Sequence, residues 1–153
     1  MRSALRSTAA VVVGFIVASI VMMIVESING HLLYPALGKA AKEVSDREKD
    51  RAKVHEEIRE LMAAAPAGSL VVVIVGWVLG GVAGGWVAGR LTAKAKAAHG
   101  IALGALLTLA GVANNLMLPP PLWFWIASLV VLFPAACLGA RLAPTRGHLA
   151  PMS

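Results

Sequence analysis

Three uncharged stretches constrain this chain more than any other feature. Residues 8–25, 70–89 and 100–140 contain no Asp, Glu, Lys or Arg. Pro119-Pro120-Pro121 divides the last stretch, and the apolar character of the first continues past Glu26 to Leu33. A hydrocarbon core about 30 Å thick is crossed by about 20 helical residues rising about 1.5 Å each. Four segments reach that length, at about 8–33, 68–90, 98–118 and 122–141. The first is longer than needed, so it is expected to tilt or protrude. The fold class this predicts is all-α: an integral membrane four-helix bundle forming one domain over 1–153.

Composition closes the alternatives. The chain is 58% hydrophobic and 14% charged, where a soluble domain carries about 25% charged residues. A 153-residue globule leaves too much surface in water to hide that excess. A single cysteine excludes a disulfide scaffold, and the long apolar runs exclude a disordered tail. The lone Cys137, with no second thiol beside it, reads as a small packing residue.

Charge position gives an orientation. Arg2, Arg6, Arg90, Lys94, Lys96, Arg141 and Arg146 flank the spans with no acid among them. The 34–67 connection carries seven bases and seven acids, and the Pro-rich link between spans three and four carries none. The positive-inside rule therefore predicts cytoplasmic termini, a cytoplasmic 90–99 loop and an external 34–67 segment. An apolar run longer than that of a signal peptide, with no small-x-small site after it, predicts an uncleaved first span. A bacterial inner membrane is the expected setting. The net charge of +6 is then a topology signal, and no clustered basic and aromatic face suggests nucleic acid.

Within the external segment, residues 45–64 are expected to form one amphipathic helix. Ser45 and Glu48 have capping-box spacing, and Val54, Ile58, Leu61 and Met62 fall on one stripe. Such a helix either packs on the bundle top or docks a partner. His55-Glu56-Glu57 lacks the second imidazole of a zinc helix, so no metal or other cofactor is implied.

Span two interleaves two glycine series, Gly76-Gly80-Gly84 and Gly81-Gly85-Gly89. At about 100° per residue they form two separate flat faces. Gly100, Gly104, Thr108 and Gly111 offer a matching face on span three. Helices in lipid associate through such small-residue surfaces by van der Waals contact. Two arrangements follow: both seams serve one monomer, or one of them serves a second copy or a membrane-protein partner. Trp77 and Trp86 are expected to point elsewhere, toward lipid or a larger neighbour.

Glu26 is the only acid inside a span. Ser19, Met22, Met23, Glu26, Asn29, Gly30 and Leu33 share a helical face, with His31 close behind. On span three, Asn114 and Asn115 reach a similar depth, about 22–24 Å above His99 at the helical rise. Glu26, Asn29, His31, Asn114 and Asn115 are therefore the expected ligand-binding set. The alternative is that Glu26 snorkels to the interface and the asparagines join helices.

Small multidrug transporters also have four spans and a first-span glutamate, yet this chain departs from their pattern. Its acid lies near one surface, its outer loop is long, and the aromatic cluster around their site is missing. With no catalytic set, thiol pair or phosphate loop, an enzyme is the least supported class. The expected function is that of a structural or accessory membrane protein packing through glycine faces with itself or a larger membrane complex; the alternative is a small carrier or channel-like protein with an outward-facing pocket at Glu26.

Overall fold

The computed structural model describes residues 2–47, 51–92 and 95–144. They form α1 (Arg2–Ile28), a π-helical turn (Asn29–Leu33), α2 (Pro35–Arg47), α3 (Arg51–Ala63), α4 (Ala67–Leu91), α5 (Lys96–Met117) and α6 (Leu122–Leu142). No strand occurs among the described residues. α1 with its π-helical turn, α4, α5 and α6 are each long and apolar enough to cross a membrane. The chain is an all-helical integral membrane protein.

Local chemistry sets the helix ends. Pro66 and Pro121 precede α4 and α6 in extended conformation. Their carbonyls accept the N–H groups of Ser69 and Phe124, both at 2.9 Å. At the end of α1 the spiral widens, and the Tyr34 N–H reaches the Asn29 carbonyl at 2.7 Å. Pro35 then opens α2, where its preset φ and missing N–H suit a first helical position. α2 folds back so closely that a Cβ on Gly38 would strike the Gly30 carbonyl. α5 starts from Ala95, which holds a left-handed φ of 57°.

α4 is the central helix, and its two glycine series face two different partners. Gly76, Gly80 and Gly84 meet Val25, Met22 with Ala18, and Gly14 of α1, so these two helices run antiparallel. Gly81, Gly85 and Gly89 meet Ala135, Ala136 and Ala140 of α6, which runs parallel to α4. Gly100, Gly104 and Gly111 of α5 face Cys137 with Ala140, Phe133 and Leu132 of α6. The span-three face thus turns to α6, because both glycine faces of α4 are already covered. At each of these nine glycines an added Cβ would find an atom of another helix within 3.0 Å. All of these close approaches lie within one chain.

The connection between α1 and α4 differs from the single helix expected over 45–64. It holds two helices, and Ser45 lies inside α2 instead of capping a start. Its expected capping partner Glu48 lies outside the described residues. The apolar stripe of α3 packs inward: Ile58 is buried, and Met62 lies against the main core. Lys42–Asp46 at 2.5 Å and Arg59–Glu56 at 3.5 Å sit on exposed faces, where such pairs contribute little. Asp46 raises the Lys42 pKa above the usual lysine value by accepting its hydrogen bond and by its charge.

Candidate functional site

α1 and α5 are the outer pair of the bundle. They touch where Gly14 of α1 approaches the Leu103 side chain. Farther toward the Pro119-Pro120-Pro121 end they become the side walls of a cleft of about 200 Å³. Ser19, Met22, Met23 and Glu26 form the α1 wall; Ala110, Gly111 and Asn114 form the α5 wall. Phe15 of α1, Leu107 of α5, Trp77 of α4 and Leu132 of α6 complete the lining.

Trp77 organises this cleft. Only 4% of it is exposed, and its indole N–H donates to Glu26 Oε1 at 2.9 Å. Its ring meets Phe124 edge-on, with centroids 5.8 Å apart and planes at 73°. Gly111 leaves room for the indole, since a Cβ there would lie 3.3 Å from Trp77 Cζ3. One carboxylate oxygen of Glu26 is therefore held by a buried donor. Among the described residues no Lys, Arg or His forms an ion pair with this carboxylate.

Of the five residues expected to form one binding set, only Glu26 and Asn114 line this cleft. Asn29 is buried, and its amide donates to the Ser69 hydroxyl at 3.0 Å and carbonyl at 3.2 Å. It continues the stripe Ala18, Met22 and Val25 that faces α4, which turns it out of the cleft. His31 is exposed on the π-helical turn, with Nδ1 donating to the Ser27 carbonyl at 2.9 Å. Asn115 is fully buried and donates to Ser128 Oγ of α6 at 3.2 Å. It follows Gly104 and Gly111 on the side of α5 that meets α6. Asn29 and Asn115 thus tie helices together.

Trp77 corrects two expectations: it turns into the bundle against Phe124 and not toward lipid, and it gives Glu26 the aromatic neighbour that the sequence reading found missing. The signal was available: Trp77 stands one turn before Gly81 on the Gly81-Gly85-Gly89 stripe, which dictates burial. Trp86 does face outward, with the Arg90 guanidinium 5.5 Å from its ring centroid. Ser69 and Ser128 were also missed; neither has a spacing pattern that marks it. His99 served only to mark a depth, yet it is buried, and its Nε2 lacks a hydrogen-bond partner among the described residues. No group of three metal-ligating side chains occurs among the described residues. Comparison with protein-family models, curated proteins and solved structures finds no match to this chain.

Proposed function

We propose that this chain is a small membrane binding protein of the carrier type, whose α1–α5 cleft takes an amphiphilic cation with Glu26 as its counter-charge. The observation that carries this reading is the Glu26 carboxylate, fixed by Trp77 at 2.9 Å in a cleft otherwise lined mainly by apolar side chains. A carboxylate in a membrane span is costly unless a partner neutralises it. An ammonium headgroup supplies that partner, and its alkyl chain finds Met22, Leu107 and Leu132. Methionines adapt to irregular apolar shapes, while Asn114 offers an amide from the opposite wall.

Self-association through glycine faces has less support, because the faces that suggested it are filled by neighbouring helices of the same chain. The basic flanks support cytoplasmic termini, with α2 and α3 outside. In a bacterial inner membrane the cleft then lies in the outer leaflet, accessible to amphiphiles arriving from outside.

The test is a titration of the protein, in neutral maltoside micelles, with dodecyltrimethylammonium and with dodecyl sulfate, followed by tryptophan fluorescence. The ammonium is expected to saturate a site, and Glu26→Gln to weaken it about tenfold, equivalent to about 1.4 kcal/mol. Equal affinity for both detergents, or a Glu26→Gln variant that binds as well as the parent, overturns the proposal.

A further inference from the structure

A second recess lies on the same α1–α5 seam, at its opposite end. Ser7, Thr8 and Val11 of α1 face Ala95, Ala98, His99 and Ala102 across it. His99 is 8% exposed, and its Nδ1 lies 2.9 Å from the Ala95 carbonyl. A carbonyl oxygen only accepts, so Nδ1 carries a proton, and in the neutral tautomer this makes Nε2 the lone-pair acceptor. That Nε2 is buried without a partner among the described residues. A buried acceptor left unmet is unfavourable until a donor reaches it.

Three further features define what would bring that donor. No side chain caps the start of α5. The Ala95 carbonyl accepts the N–H groups of Ala98 and His99; those of Lys96 and Ala97 have no acceptor within the helix. Arg6, Arg90, Lys96 and Arg141 lie at this end of the bundle, while the one acid of the four long helices, Glu26, lies at the other. Ser7 and Thr8 add two hydroxyls to the α1 side, and the rest of the lining, Val11, Ala95, Ala98 and Ala102, is apolar.

We infer that this recess binds an anionic phospholipid whose headgroup carries a free hydroxyl, as phosphatidylglycerol does. The phosphate oxygens accept from the first turn of α5 and lie in the field of the basic residues. The headgroup hydroxyl donates to His99 Nε2, and an acyl chain follows the apolar walls. An ammonium headgroup would also satisfy Nε2, but the surrounding bases disfavour it. The apolar part of the lining, Val11, Ala98 and Ala102, favours a lipid over a soluble phosphate.

Native mass spectrometry of the full chain from neutral micelles tests this with two lipids of equal charge and chain length. Phosphatidylglycerol is expected to bind several-fold more tightly than phosphatidylmethanol, which lacks the hydroxyl. His99→Leu is expected to erase that difference, and His99→Gln, which restores an acceptor, to recover part of it. Ala98→Trp, a change at an exposed position, is expected to exclude both lipids without disturbing buried packing. Equal binding of the two lipids by the parent protein overturns the inference. So does a preference that survives both His99→Leu and Ala98→Trp. Displacement of the lipid by equimolar glycerol phosphate would assign the recess to a soluble phosphate and overturn the lipid assignment.

Discussion

Replacing Gly85 by Ala tests the central seam most severely. A Cβ at this position would land on the Ala136 carbonyl oxygen, with the carbonyl carbon at 2.9 Å and Cα at 3.1 Å. Ordinary Cβ contacts lie at 3.4–4 Å, and every atom in the way is backbone, so no side chain can rotate aside. α4 and α6 must separate locally by on the order of 1 Å, a gap that forfeits a quarter to a half of each dispersion contact. The neighbouring approaches at Gly81–Ala135 and Gly89–Ala140 weaken with it. Overpacking costs about 1–3 kcal/mol, and a backbone collision belongs at the upper end. Alanine returns about 1 kcal/mol through its better helix propensity. The net loss is about 2 kcal/mol, or a melting temperature lower by about 4–8 °C. Gly30→Ala is the control, because its added Cβ meets only the Gly38 Cα at 3.7 Å. With no collision to offset the propensity gain, it should melt no lower than the parent. The assay is thermal unfolding in maltoside micelles, with light scattering to record the oligomeric state. A Gly85→Ala protein as stable as the parent refutes the reasoning. So does a folded Gly85→Ala monomer released from a larger parental assembly, which would make the seam intermolecular.

Other variants probe separate links. Trp77→Phe keeps the ring against Phe124 but removes the donor to Glu26; hydrogen bonds to charged groups contribute about 1.5–3 kcal/mol, and stability and dodecyltrimethylammonium affinity should both fall. Asn115→Ala breaks the α5–α6 bond to Ser128 and should cost about 0.6–1.7 kcal/mol in a chemical unfolding titration. Asn114→Ala, altering an exposed cleft wall, should leave the unfolding midpoint unchanged and affect ligand affinity alone. In a Cys137→Ser background, a cysteine at Ser45 should react with an impermeant maleimide added to intact cells, and one at Ala97 only after lysis. The reverse pattern would invert the proposed orientation.

The membrane helices were legible because hydrocarbon demands long uncharged runs, and nothing else in a chain this short produces them. The glycine faces of α4 were legible from spacing alone, since residues four apart share a side whatever packs there. Their partners were not, because Ala135, Ala136 and Ala140 look like ordinary apolar residues until α6 is placed parallel to α4. The start of α2 at Pro35 is readable from proline chemistry, since a preset φ and a missing N–H suit a first helical position. The candidate site was half legible. Glu26 and Asn114 reach the cleft by depth and face, but Asn29 and Asn115 lie on seam-facing stripes, and helical geometry turns them into the packing. Depth along a span says which residues lie level; only rotation about the helix axis decides which of them meet.

The parallel pairing of α4 with α6 also sets an order of assembly. α1 and α4 are consecutive long helices and can close their antiparallel seam as soon as both have entered the bilayer. The Gly81-Gly85-Gly89 side of α4 must wait, exposed to lipid, until synthesis has passed α5 and delivered α6. During that interval a nascent chain carries a bare small-residue surface of the kind that captures passing helices. The last span is therefore the latch of the bundle, and a chain interrupted before Leu122 would present its stickiest face to the membrane.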